Sequence, residues 1–127
     1  MTVNPNNSSF AAIWEFSNGT TQINTFNSVE WKIAETISAN GSAPSIAVNP
    51  TNNHVIAVWT DLSAGDANNT IKVSEFDGTT WPTPASISAT ITLPGSPRIA
   101  INSEGYGIIT WNRLVDSDTV IEAVTSE

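Results

Sequence analysis

The sequence predicts an all-β fold built from repeated antiparallel units of about four short strands. Two tryptophans, Trp31 and Trp81, stand 50 residues apart, and INTFNSVEWKIAETIS at 23–38 lies over VSEFDGTTWPTPASIS at 73–88. Apolar residues show no helical spacing, and the many β-branched residues favour a pleated surface. A period near 50 residues with about four strands per unit is typical of the blades of a β-propeller.

Two further matches show that three units are present. VNPNNSSFAAIW at 3–14 lies without a gap over VNPTNNHVIAVW at 48–59, and SPRIAINSEGYGIITW at 96–111 is a third, slightly shortened copy. The copies differ in length only where turns absorb insertions, as stacked units require.

The length of the chain and the repeats predict a single domain. A chain of 127 residues falls in the ordinary single-domain range, so we expect one propeller segment over 1–127. We place its blades at approximately 1–41, 42–93 and 94–127, the first and last of them incomplete.

The middle unit predicts four strands, at 45–49, 54–60, 70–76 and 79–88. In the second, Val55 and Trp59 share one apolar face while Ile56 and Val58 form another, so we expect both faces to be covered. In the third strand, apolar and polar residues alternate, which predicts one polar face carrying Ser74.

Prolines and turn residues bound these strands. Pro82 and Pro84 cannot donate to a central ladder, so we expect the fourth strand to lie at an edge. Between the first two strands, either Asn52 or Asn53 can take the left-handed conformation, and Gly105 occupies the same corner in the third unit.

The unit as a whole resembles the repeats of sialidase-like bacterial β-propellers. Those propellers carry an Asp-box turn with the pattern Ser or Thr, any, Asp, any, Gly, any, Thr, Trp. In SEFDGTTW, four residues match this pattern and Phe76 takes the aspartate position; the matching residues are Ser74, Gly78, Thr80 and Trp81. The resemblance implies a blade turn and a propeller of sialidase-like architecture.

The resemblance does not extend to the catalytic residues of sialidases. Those enzymes hold a substrate carboxylate with three arginines and use a Tyr and Glu pair, whereas this chain has only Arg98, Arg113 and the single tyrosine Tyr106. The spacing of Asp116 and Asp118 favours a solvated loop over a glycosidase pair. We therefore predict that the chain is not an enzyme, with a glycan-processing glycoside hydrolase as the alternative.

The tryptophans allow a structural and a ligand-binding interpretation. Five recur at equivalent positions of the units, which favours rings that fill gaps between blades over sugar-stacking platforms: Trp14, Trp31, Trp59, Trp81 and Trp111. Phe10 and Tyr106 lie near the predicted tips and are our candidate ligand-binding residues.

Charge and composition exclude several other functions. A net charge of −8 argues against nucleic acid as a partner, and no apolar run is long enough for a membrane span or a signal peptide. The absence of cysteine excludes disulfides and thiolate metal sites, and His54 is the only histidine. The oxygen-rich loop at 60–70, with Asp61 and Asp66, lacks the spacing of an EF-hand, so we predict no metal and no cofactor.

Three units cannot close a ring, because propellers contain about four to eight blades. We therefore expect a homo-oligomer, as a dimer that forms a six-bladed ring, or else a fragment of a longer propeller. As function we predict a noncatalytic binding or scaffold module with a glycan or protein ligand.

Overall fold

Three antiparallel sheets make up the protein in a computed structural model that describes residues 1–65, 68–90 and 95–126. No helix occurs among these residues, which confirms the all-β prediction. Each sheet is a meander, because its strands lie side by side in the order in which the chain forms them.

Sheet 1 contains β1 (Thr2–Val3), β2 (Phe10–Glu15), β3 (Thr21–Phe26) and β4 (Glu35–Ser38). Sheet 2 contains β5 (Gly41–Val48), β6 (Val55–Asp61), β7 (Thr70–Phe76) and β8 (Ala85–Ser86). Sheet 3 contains β9 (Arg98–Ile101), β10 (Gly107–Val115) and β11 (Asp118–Thr125).

The strands of the middle unit follow the prediction except at its ends. The third predicted strand coincides with β7, and β5 begins four residues earlier than expected, at Gly41. The fourth was predicted too long, because only Ala85 and Ser86 pair with β7 and the prolines before them supply no ladder donor. The predicted unit boundary at 93 lies outside the described residues.

Sheet 2 lies between the other two sheets. Strand β5 contacts β1 and β2, and β9 contacts β5 and β6, so neighbouring sheets meet through their first two strands. The prediction that both faces of the second strand are covered is confirmed. On one face Val55, Ala57 and Trp59 form a buried cluster with Ala11 and Ile23 of sheet 1.

A smaller cluster joins the opposite face of sheet 2 to sheet 3. Ile71 and Trp111 are buried against each other, with Ile87 and Ile109 beside them. Each sheet-to-sheet contact therefore has one large tryptophan, and burying such a ring contributes about 1.5 to 3 kcal/mol or more to stability.

The prediction that the third strand has a polar face is wrong at Ser74. Ser74 and Phe76 are buried, although they share a face with the partly exposed Lys72. Sheet 1 covers this face, and Ser74 keeps its hydroxyl satisfied by donating to the carbonyl of Pro82 at 3.1 Å.

The turns between the first and second strands of the units share one backbone solution. The left-handed residue is Asn53 rather than Asn52, with φ of 64°, and Gly105 has φ of 91°. Ser8 of the first unit has φ of 57°. In all three turns the backbone amide of an asparagine donates to the backbone carbonyl of the residue that ends the turn; these asparagines are Asn4, Asn49 and Asn102.

Candidate functional site

The three equivalent turns at 4–9, 49–54 and 102–106 lie next to one another and form one edge of the molecule, called here the turn edge. Side chains link the first turn to the second, since Asn6 donates to the Pro50 carbonyl at 2.7 Å. Asn49 of the second turn donates to the Gly105 carbonyl of the third at 3.5 Å. The repeat thus aligns three turn loops as one surface.

Both candidate ligand-binding residues lie at the turn edge but not in one site. Phe10 is half-buried at the start of β2, with its ring centroid 5.7 Å from that of Phe26, and it lines a cleft of about 170 Å³ between sheets 1 and 2. Tyr106 is exposed and lines an open groove with Ala100 and Ile108 on sheet 3. Sheet 2 therefore lies between the two residues.

A larger cleft of about 340 Å³ lies between sheets 2 and 3 and was not predicted from the sequence. It exists because Gly107 and Ser126 hold the positions that Val55 and Phe76 fill in the neighbouring sheet. Seven aliphatic side chains line it: Ile56, Val73, Ile87, Ile99, Ile101, Ile109 and Val124. The glycine at 107, aligned with Val55, was the signal that could have predicted it.

The structural interpretation of the tryptophans is confirmed for the two that lie in second strands inside the stack. Trp59 fills the space between sheets 1 and 2, and Trp111 fills the space between sheets 2 and 3. Trp81 is half-buried and stacks on Phe76 with ring centroids 5.2 Å apart. Trp31 packs on Phe26 but stays 49% exposed, so it contributes less to the core.

The Asp-box-like turn is held by an aspartate one residue after the position that the sialidase pattern gives it. Asp77 accepts hydrogen bonds from the backbone amides of Thr79 at 2.8 Å and Thr80 at 2.9 Å. These donors, first that of Thr80, lower the pKa of Asp77 below its ordinary value because they favour the charged carboxylate. Asn27 makes the same turn in the first unit, accepting from Val29 and Glu30.

The lowered pKa of Asp77 predicts a small acid-dependent loss of stability. A carboxylate with a depressed folded pKa stabilises the fold above its unfolded value, and this contribution disappears as the pH falls through the folded pKa. Asp77→Asn keeps the acceptor, as Asn27 shows, and removes the titration. We expect a lower urea midpoint for the variant than for the parent at pH 7, and a smaller fall for the variant between pH 7 and pH 3. An equal fall in both proteins would contradict this.

The charged residues considered for catalysis are engaged in structural contacts. Arg113 contacts the Glu122 carboxylate at 2.8 Å, and the same carboxylate accepts from the Trp111 indole at 2.8 Å. Arg98 donates to the neighbouring Pro97 carbonyl. His54 lies 2.7 Å from Glu75 on the adjacent strand.

Of the aspartates considered as catalytic or metal-binding residues, those that the structure describes lie in turns or at the ends of strands next to turns. Asp116 has φ of 56° and belongs to the hairpin turn between β10 and β11, and Asp118 begins β11. In the loop at 60–70, Asp61 accepts from the Ser63 amide at 3.1 Å and lies 3.9 Å from the Lys72 ammonium. Asp66 lies outside the described residues. Within residues 1–65, 68–90 and 95–126, no three His, Cys, Asp or Glu side chains are close enough to hold a metal ion.

Comparisons with known proteins add no identity. No known protein family and no curated protein matches this chain at a significant level. Of the part of the chain that the structure describes, no segment forms a helix long and apolar enough to cross a membrane.

Proposed function

We propose that the protein is a noncatalytic binding or scaffold module made of β-propeller blades. One observation carries the proposal: three sequence repeats form three meander sheets, and each sheet after the first places the tryptophan of its second strand against the sheet before it. Such radial stacking of small antiparallel sheets is how propellers bury both faces of a blade.

The contacts between the sheets support a blade arrangement over a flat sandwich. Neighbouring sheets meet through their first and second strands, while the fourth strand of sheet 2 shrinks to two exposed residues behind prolines. This gradient, from covered inner strands to a short outer strand, suits sheets that fan out from a common axis.

The turn edge is the proposed ligand-binding surface. Tyr106 presents an exposed aromatic ring there. An aromatic ring with a polar edge binds the flat face of a sugar or an apolar side chain of a protein ligand. The proposed ligand is thus a glycan or a protein segment, bound without chemical turnover.

A glycan array followed by a hydrolysis assay tests this function. We expect binding of at least one glycan class, with no release of fluorophore from the matching fluorogenic glycoside. Tyr106→Ala is expected to weaken binding about tenfold. Phe16→Ala is the matched control, because Phe16 is an exposed aromatic residue after the far end of β2 and away from the turn edge.

Two outcomes would contradict the proposal. Glu104 is the acidic residue of the third turn of the turn edge. Hydrolysis that is lost on changing Asp61→Asn or Glu104→Gln would make the protein a glycan-processing enzyme. Equal loss of binding in the Tyr106→Ala and Phe16→Ala variants would remove the turn edge as the ligand-binding surface.

A further inference from the structure

The two ends of the stack each present a sheet face that no described residue covers. The front face belongs to sheet 1 and carries Val3 and Trp14. The rear face belongs to sheet 3 and carries Ala100, Ile108 and Ile121. Both faces are apolar in part, and Ile121 is 70% exposed.

The front face repeats a surface that is buried elsewhere in the same molecule. Val3 and Trp14 align with Val48 and Trp59, which pack in sheet 2 against sheet 1. Val48 is 8% exposed and Val3 is 52% exposed. The front face therefore has the residues of a sheet that packs against a preceding sheet.

The rear face is the counterpart. In sheet 3, Ile121 pairs with Asn112, the residue that follows the tryptophan of β10. In sheet 2, Ile71 pairs with Thr60, the residue that follows the tryptophan of β6. Ile121 is therefore the equivalent of Ile71. Ile71 is fully buried against Trp111 of the following sheet, whereas Ile121 has no such cover. The rear face lacks a tryptophan from a following sheet.

A repeated hydrogen bond identifies how sheets align along the turn edge. Asn4 of the first turn donates from Nδ2 to Oδ1 of Asn53, the left-handed residue of the second turn, at 2.7 Å. Asn49 donates likewise to the carbonyl of Gly105, the left-handed residue of the third turn, at 3.5 Å. In both cases an asparagine reaches the left-handed residue of the next unit.

One donor position and one acceptor position of this series have no partner among the described residues of the chain. Asn102 holds the place of Asn4 and Asn49, and its Nδ2 donates to no residue in the described part of the chain. Ser8 holds the place of Asn53 and Gly105, with positive φ, and it is exposed. The series thus ends on an unmatched donor at the rear face and an unmatched acceptor at the front face.

We propose that a second copy of this chain binds head to tail, with its front face against the rear face of the first. Asn102 then donates to Ser8 of the second copy, and Trp14 of the second copy covers Ile121. The proposal rests on the proposed function only in treating the sheets as equivalent blades. It continues an interface that already occurs twice within one chain.

Two copies are expected to close this arrangement. A head-to-tail contact forms a ring if its rotation closes, and two chains of three sheets give six sheets, within the range of about four to eight that propellers use. Both ends of both chains are then covered, so neither copy keeps an open apolar face.

Cross-linking of introduced cysteines tests the orientation directly, because the natural chain contains no cysteine. Ser8→Cys and Asn102→Cys chains are mixed, unfolded and refolded together, then treated with a short thiol-specific bifunctional reagent. We expect a covalent dimer from the mixture and little from either variant alone. An Asn4→Cys, Asn53→Cys double variant, whose cysteines replace a contacting pair in one chain, shows that the reagent spans this distance.

Several results would overturn the proposal. A cross-linked dimer of either single variant alone would indicate a head-to-head contact. A chain that carries both Ser8→Cys and Asn102→Cys tests ring closure, because a ladder of covalent products larger than a dimer would exclude closure at two chains. If the Asn4→Cys, Asn53→Cys control reacts but the mixture gives no covalent dimer, the contact itself is excluded. Ligand binding plays no part in this readout, so its outcome is separate from that of the proposed function.

A charge on the rear face provides a second test. Ile121→Lys is expected to convert the dimer to a folded monomer at micromolar concentration, because the lysine would be desolvated against Trp14 of the second copy. Ile33→Lys is the control, since Ile33 is 89% exposed and belongs to no strand of either face. Circular dichroism verifies that both variants fold. A dimer that persists in a folded Ile121→Lys protein would contradict the proposed interface.

Discussion

Trp59→Ala is expected to lower the free energy of unfolding by about 3 to 5 kcal/mol, which is a large part of the stability of a domain of this size. Among the residues that the structure describes, Trp59 is the largest fully buried side chain, and it lies between sheets 1 and 2 among Ala11, Ile23 and Ala57. Its removal leaves a cavity in the contact that holds the two sheets together. The loss therefore reports on stacking as well as on burial.

Urea denaturation followed by far-ultraviolet circular dichroism measures this effect. Trp31→Ala is the matched control, because Trp31 is the equivalent of Trp81 in an outer position and half of its surface is exposed. We expect the control to lose clearly less stability than Trp59→Ala, on the order of 1 kcal/mol. Similar losses in both variants would mean that the stacked sheets do not depend on the buried ring.

Gly41→Ala is expected to cost about 1 to 3 kcal/mol through overpacking. A Cβ at this position would lie 2.5 Å from Oγ1 of Thr21 and 3.0 Å from Cδ1 of Trp59. Gly41 does not have positive φ, so the cost is steric and not a backbone penalty. It begins β5 where sheet 2 crosses sheet 1, and the close approach of these sheets requires a residue without a side chain.

A double-mutant cycle with Thr21→Ala separates this clash from other causes. Thr21 Oγ1 is the nearest atom to the added Cβ, and it is buried without a hydrogen-bond partner among the described residues. We expect Gly41→Ala to cost at least about 0.5 kcal/mol less in the Thr21→Ala background, as for residues in contact. Strict additivity of the two changes would contradict the steric explanation.

The stacking of the sheets could be predicted from the sequence because both faces of one strand are apolar. Alternation in β6 places Val55 and Trp59 opposite Ile56 and Val58, and only neighbours on both sides can cover such a strand. The repeat then assigned Trp59 and Trp111 to equivalent positions. Their burial between sheets followed from the pattern alone.

Other features depended on neighbours that a single strand does not reveal. Ser74 was assigned to a polar face, yet its hydroxyl bonds to the Pro82 carbonyl in a segment that folds back over it. The fourth strand was predicted over 79–88 as a run bounded by turn residues, but only two of its residues reach β7. Local alternation does not encode how far an edge segment follows its partner.

The candidate site was predicted less well than the fold. Phe10 and Tyr106 were selected as aromatic residues near tips, and both lie at the turn edge, but sheet 2 separates them. The asparagine contacts along that edge join residues 49 to 56 positions apart, so their geometry appears only when the turns stand side by side. Repeat alignment identifies equivalent residues, whereas the contacts between units come from the stack.

Sedimentation equilibrium of the unmodified 127-residue chain at micromolar concentration tests most directly whether equivalent sheets of two copies continue one stack. We expect a single species with twice the 13.5 kDa mass of one chain, converted to the monomer by Ile121→Lys and not by Ile33→Lys. A stable, folded monomer of the unmodified chain at that concentration would contradict it.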